Sequence, residues 1–368
     1  MEPLIKSQRL LSLDALRGFD MFWIIGADEV MHSMAKATGS SAWQRISAQF
    51  EHPYWQGFTL YDLIFPLFIF VTGISANYSL GSALEKGVAR STLVRKVITR
   101  GLILVLLGVI YNNGLTIKPL EEIRFMSVLG RIGLAYLFSS LIFLYTSPKT
   151  QMICFWGILI GYWLIMQFSS APGFPAGDLT EEGNFSSWFD RTVLPGKLSR
   201  GIHDTVGLFN NLPAISSGLA GIITGNLLRT SHYPDRFKVR SMIVAGCACL
   251  LLAKGWHLLF PINKNLWSSS FVLQTVAFSL LLMAAFYYII DVKKWTKATF
   301  FRVIGMNSIL IYMSGKFIQW SYTNKAFFQW LGDLAGEPFN AVILALTVIL
   351  VKWVFLAFLY QRKMFLKI

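Results

Sequence analysis

The chain is short of charge. Asp, Glu, Lys and Arg make up 14% of its 368 residues, against roughly 25% in an average soluble protein. That shortage excludes an ordinary water-soluble globule. Cysteine is scarce as well. Cys154, Cys247 and Cys249 all fall in apolar stretches without metal-ligand spacing, which excludes a disulfide frame or a zinc site and predicts small buried residues. There is no Gly-rich phosphate loop of the P-loop or Rossmann kind, no HExxH and no GxSxG. A nucleotide-like ligand would therefore have to bind between helices, and no metal is expected. The N-terminus lacks a typical signal peptide, so the first apolar stretch is expected to be retained.

What the chain has instead is apolar mass: 54% hydrophobic residues, 15% aromatics and a mean hydropathy of +0.53. Runs near the length of a bilayer span recur from end to end. The pattern predicts an all-α, polytopic membrane helical bundle, a single domain over 1–368. About ten spans are expected, near 12–35, 59–81, 98–116, 125–146, 151–168, 207–228, 240–259, 269–290, 301–320 and 339–360. The first is impure, with Asp14, Arg17, Asp20, Asp28 and Glu29. The many Trp and Phe suit lipid-facing and interfacial positions.

The net charge of +14 is explained by basic cytoplasmic loops rather than by nucleic acid. With the N-terminus inside and the spans alternating, most loop Lys and Arg share the side of the termini: Lys6 and Arg9, the loops 86–100, 229–240 and 293–302, and Arg362, Lys363 and Lys367. Both termini are then cytoplasmic, in an inner membrane. His52 and the Gly-, Pro- and Ser-rich loop 169–206 fall on the opposite side.

Ionisable residues inside spans need a cavity or a partner. Asp28 and Glu29 near the outer end of the first span, His52 in the loop, and Asp62 just inside the second span could share one outer pocket. Imidazole is the side chain suited to proton transfer near neutral pH, and a carboxylate on its far nitrogen would fix its tautomer and raise its basicity. The plainer alternatives stay open: His52 as an interfacial histidine, and Asp62 as a carboxylate at a helix start, with Pro66 kinking the span. Arg17 with Asp14 reads as an intrahelical pair, or Arg17 could meet a phosphate. The basic loop up to Arg100 could bind an anion, although positive-inside bias explains it. Arg131 and Lys316 each need a buried partner or a water path. The run SSGLAGIITG (216–225) suits close helix packing.

Taken together, the strings RLLSLDALRGFDMFWII (9–25), HPYWQGFTLYDLIFPLFIFVTG (52–73), RFMSVLGRIGLAYLFSSLI (124–142), WFDRTVL (188–194), GLFNNLPAISSGLAGIITGNLL (207–228), FPINKNLWSSSFVL (260–273) and GMNSILIY (305–312) resemble the heparan-α-glucosaminide N-acetyltransferases and their bacterial, Bacteroidetes-type relatives. These form a branch of the transmembrane acyltransferases. The resemblance covers nearly the whole chain and implies use of cytosolic acetyl-CoA to acetylate the amine of a terminal glucosamine across the membrane, with a homodimer as the implied assembly. It places the family's catalytic histidine on His52 and its carboxylate on Asp62. The family's usual asparagine in the first span is replaced here by Asp28, in GADEV (26–30), and its D-P-E-G by Asp204-Thr-Val-Gly207.

On this reading the catalytic candidates are His52, Asp62 and Asp28. Arg17, Arg100, Arg131 and Lys316 are candidates for the CoA end. Trp55, Glu29, Asn263, Trp267 and Asn307 are candidates for the amino-sugar or glycan acceptor. His52 would act as general base or as an acetyl carrier, with Asn263, Asn265 or Trp267 steadying the oxyanion. Two rivals use the same residues differently. An amino-sugar transporter would exploit the polar spans and Pro66, although no paired broken helices stand in matching halves. A glycan O-acetyltransferase would replace the amine by a hydroxyl.

Overall fold

The computed structural model describes residues 10–366, so Lys6, Arg9 and Lys367 lie outside the described residues. Among those residues the fold is all helical. It is a polytopic membrane bundle in which five helical stretches are long and apolar enough to cross a bilayer: Leu60–Glu85, Val128–Tyr145, Pro148–Phe168, Ser269–Val292 and Asn340–Gln361.

Helix α1 (Leu11–Phe22) continues through a π-helical turn (Trp23–Ala27) into α2 (Asp28–Thr38), followed by α3 (Ser41–Ala48). Gly26, at φ 133°, breaks the helix between α1 and α2, and Lys352 Nζ donates to the carbonyl of Ile25 that the break leaves over (2.8 Å). A 3₁₀ turn (Leu60–Leu63) leads into α4 (Ile64–Glu85), then α5 (Arg90–Asn113), α6 (Val128–Tyr145) and α7 (Pro148–Phe168). Pro66 thus falls in the first turn of α4, where no intrahelical N–H is lost and no kink is needed. The loop after α7 carries a short helix, α8 (Phe185–Val193), and reaches α9 (Leu212–Arg229), α10 (Asp235–His257) and α11 (Ser269–Phe286).

The ninth expected span is broken. Asn307 adopts non-helical torsions between α12 (Thr299–Met306) and α13 (Ser308–Phe317). Its side chain instead holds the C-terminal segment, donating to the Met364 carbonyl (2.9 Å) and accepting from Leu366 N (3.0 Å). Residues that the hydropathy left between spans form α14 (Trp320–Ala335), packed on the last helix, α15 (Asn340–Gln361). The cysteines are free but not buried: Cys247 is exposed and the others half-buried.

The core is built on close backbone contact. A Cβ added at Gly221 of α9 would lie 2.0 Å from the Phe70 carbonyl oxygen of α4, and one at Gly73 of α4 would lie 2.2 Å from the Gly218 carbonyl oxygen. The small-residue run of α9 therefore lets two backbones approach as larger residues would not. Gly18 and Gly305 do the same for α1 and α12. Helix α4 packs against both α9 and α6, and it carries one wall of each of the two cavities described next.

Candidate active site

Asp62 is fully buried at the head of α4, and its two oxygens have separate tasks. Oδ2 accepts from the backbone N–H of Thr59 (3.0 Å), closing a capping box. Oδ1 meets His52 Nδ1 at 2.7 Å. Helix cap and imidazole partner, alternatives in the sequence, are one residue here. The His52 side chain remains 46% exposed. A carboxylate on Nδ1 holds the proton there and leaves Nε2 as the basic nitrogen.

Lys264, from the turn between α10 and α11, completes the cluster. Its Nζ lies 3.2 Å from Asp62 Oδ1 and 3.0 and 2.9 Å from His52 Nδ1 and Nε2. A position nearly equidistant from both ring nitrogens lies over the ring, not in line with either lone pair. Burial pushes the Lys264 ammonium below its usual range, and the Asp62 carboxylate opposes that shift. Asp28 reaches the cluster indirectly: its Oδ2 accepts from the Tyr61 hydroxyl (2.8 Å), and the Tyr61 ring lies 5.0 Å from the imidazole.

His52, Tyr61 and Lys264 line a cavity of about 300 Å³ together with Arg200, Asn265, Trp267 and Tyr312, while Asp62 and Asp28 stand behind them. Trp267 is fully buried, has φ 52°, and its indole N–H has no partner among the described residues. A non-glycine residue held in the left-handed region is a local strain that the surrounding fold sustains. Arg131 supports it from behind. The guanidinium sits 4.3 Å from the Trp267 ring centroid and donates to Asn210, to Asn211 (3.3 Å) and to the Thr205 carbonyl (3.4 Å). Arg131 therefore stands at the His52 end of the bundle.

The other candidates are spread out. Trp55 clamps the long loop, donating from Nε1 to the Leu179 carbonyl (2.8 Å) and meeting His203 edge-on. Asn263 shapes the turn before α11 by accepting from Leu266 N (3.1 Å). Glu29 faces a separate cleft with His32, Lys36 and Glu51. Lys316 is exposed near the end of α13. Arg17, Arg100 and Asn307 line a second cavity of about 190 Å³ with Thr72 and Ser308. Arg17 donates to Ser75 Oγ (2.6 Å) and also approaches Asp14 (3.8 Å). Nε of Arg100 is buried without a partner among the described residues.

The two cavities share no lining residue but lie along the same three helices. Their linings continue one another by about one turn on three helices: Phe65 to Phe68 on α4, Val128 to Ile132 on α6, and Tyr312 to Ile309 on α13. From Ile64 to Thr72 the pair extends about 12 Å along α4. The first holds the His52 imidazole, with Lys264 and Arg200; the second holds the Arg17 and Arg100 guanidinium groups.

The long loop closes the His52 end. Arg200 donates to the Tyr54 carbonyl (2.9 Å), and the Tyr54 hydroxyl donates to Glu181 (3.0 Å). Asp204, where the D-P-E-G pattern has drifted, pairs with Arg124 (2.9 Å). Beneath it, burial pushes the Asp190 carboxyl up to about 6 and the His203 imidazole down to about 4. Between those values the two groups have opposite linkage. Unfolding releases a proton from Asp190 and adds one to His203, so wild-type stability changes little with pH there. Asp190→Asn leaves only His203. Its stability is expected to rise with pH from about 4 to 6.5, by up to about 3 kcal/mol relative to the acid limit. Thermal unfolding in detergent at a series of pH values checks this.

A family model described as "Heparan-alpha-glucosaminide N-acetyltransferase, catalytic" matches residues 9–261, which include His52 and Asp62 but stop short of Lys264 and Trp267. The chain is 28% identical to the mouse heparan-alpha-glucosaminide N-acetyltransferase over 98% of its own length and 61% of the relative's. It is 27% identical to the human protein over 98% of its length and 60% of the relative's. The chain thus spans about three fifths of the curated relatives it matches. With more than half of its residues matched in order and its site built largely from them, the chain belongs to the heparan-α-glucosaminide N-acetyltransferase catalytic family.

Proposed function

We propose that this chain is a membrane N-acetyltransferase. It takes an acetyl group from acetyl-CoA at the Arg17–Arg100 end and passes it to the amine of a glucosamine or terminal glucosaminide at the His52 end. The observation that carries this reading is the pair of cavities laid end to end along α4, α6 and α13. A donor with a charged head and a long arm needs such a path, and the acceptor then needs no route through the bundle.

Arg17 and Arg100 would hold the donor's phosphates, for which guanidinium groups suit best. Acetyl-CoA supplies the activated thioester. His52 Nε2 removes a proton from the acceptor ammonium, and the freed amine attacks the thioester carbon. Asp62 keeps the imidazole in the required tautomer. Lys264 and the indole N–H of Trp267 stabilise the oxyanion that forms, and as it collapses the surplus proton on the attacking nitrogen passes to the sulfur, which leaves as the CoA thiol. Basic residues of the α4–α5 loop and α5 stand at the Arg17 end, which supports placing that end, with both termini, on the cytoplasmic side of an inner membrane crossed about ten times.

Purified protein with labelled acetyl-CoA and glucosamine tests the proposal. Transfer to the amine is expected. Arg100→Ala should raise KM for acetyl-CoA about ten-fold with kcat nearly unchanged. Lys264→Met should do the reverse, lowering kcat about 10²-fold with KM for acetyl-CoA unchanged. Absence of acetyl-CoA binding and of transfer to any acceptor would overturn the reading, and transfer to a hydroxyl alone would make the enzyme an O-acetyltransferase.

A further inference from the structure

A third cavity, of about 330 Å³, lies between α1, the residues after α3, the start of α4, and α11. Its walls are apolar: Phe19, Trp23, Phe50, Phe278 and several leucines. The exception is Asp20, which the acetyl-transfer path does not use. Asp20 is 1% exposed, and neither carboxyl oxygen has a hydrogen-bond partner among the described residues. A buried polar group is normally satisfied, and one left bare in an apolar site is costly.

We infer that this cavity binds an organic ammonium carried on an apolar body, a lipophilic primary amine, with Asp20 as its counter-ion. The chemistry of the walls selects that class. A hydrocarbon would leave the carboxyl unpaired, and an anion would find no opposite charge there. An alcohol could satisfy one oxygen but would draw nothing from the aromatic faces. An ammonium pairs with the carboxylate and sets its charge against ring faces, which attract cations most strongly where water is excluded. Two of those rings, Trp23 and Phe50, are stacked at 4.7 Å, so each supports the other at the cavity wall. Leu60 at the rim is half exposed, so an alkyl tail can leave the cavity into the bilayer. Ile64 lines both this cavity and the His52 cavity, which makes the amine site a neighbour of the transfer site. The inference stands apart from the acetyltransferase reading, because its test measures binding alone.

The probe is a twelve-carbon primary amine bearing a photoreactive diazirine, with the matched alcohol as control. Each is photolysed on full-length protein in phosphatidylcholine nanodiscs, and labelled peptides are identified by mass spectrometry. The amine is expected to label peptides containing Trp23, Leu60 or Leu282 at least about ten-fold more than the alcohol does, and Asp20→Asn should remove that advantage. Phe278→Leu, which keeps the carboxyl, should reduce amine labelling about three-fold or more. Equal labelling by amine and alcohol would overturn the proposal, as would amine labelling unchanged in Asp20→Asn or confined to other peptides. If Asp20→Asn is not monodisperse, the amine-to-alcohol ratio on wild type and on Phe278→Leu decides.

Discussion

In the His52→Ala variant, acetyl transfer to glucosamine is expected to fall by about 10³-fold or more while acetyl-CoA binding stays unchanged. The imidazole is the one group of the Asp62–His52–Lys264 cluster with a basic nitrogen open to the cavity. Its loss removes either the proton acceptor or the acetyl carrier, so both forms of the chemistry fail together. Folding should survive. The side chain is nearly half exposed, and Asp62 keeps its cap on Thr59 and its ion pair with Lys264. Steady-state rates set beside a direct acetyl-CoA binding isotherm make the measurement. Activity within ten-fold of wild type would remove His52 from the reaction.

Asp62→Asn is expected to lower kcat by about 10²–10⁴-fold with the protein folded. The amide oxygen can still accept from Thr59 N, preserving the helix start. The amide NH₂ would then face His52 Nδ1 and donate to it, which forces the ring proton onto Nε2, the nitrogen that must take a proton from the acceptor. The ammonium of Lys264 also loses its counter-charge at 3.2 Å. A variant that is stable, binds acetyl-CoA normally and transfers slowly fits this account. A variant that is fully active, or one that merely unfolds, would make Asp62 a structural cap alone.

The parts of the site that were legible in the sequence were those written locally. His52 and Asp62 stand ten residues apart in one string, and their contact follows from the turn between them. The small residues of α9 announced a close helix contact, and Gly221 against Phe70 provides it. Arg131 was marked by its depth within a span, although its partners on Asn210 and Asn211 bring it to the opposite end from the phosphates it was assigned to. Lys264 was not legible, because its partner lies 212 residues away and hydropathy counts it as one more loop cation. The only signal was its place within NKNLW, between two asparagines. Asn307 shows a similar limit. Apolar character ran through it, and nothing local said that its side chain would bond the C-terminal segment instead of continuing a helix. Glu29 adjoins Asp28 in sequence but faces another cleft, since successive residues of a helix point about 100° apart. Periodicity tells which face is apolar. It does not tell which distant loop folds over that face.

The central claim is that donor and acceptor meet from opposite ends of the bundle. Sealed vesicles containing the protein in one orientation, with labelled acetyl-CoA outside and glucosamine inside, test it most directly. The account predicts N-acetylglucosamine accumulating inside, dependent on His52, with no acetyl-CoA entering. Acetylation only when both substrates share one side, or sugar crossing the membrane unacetylated, would contradict it.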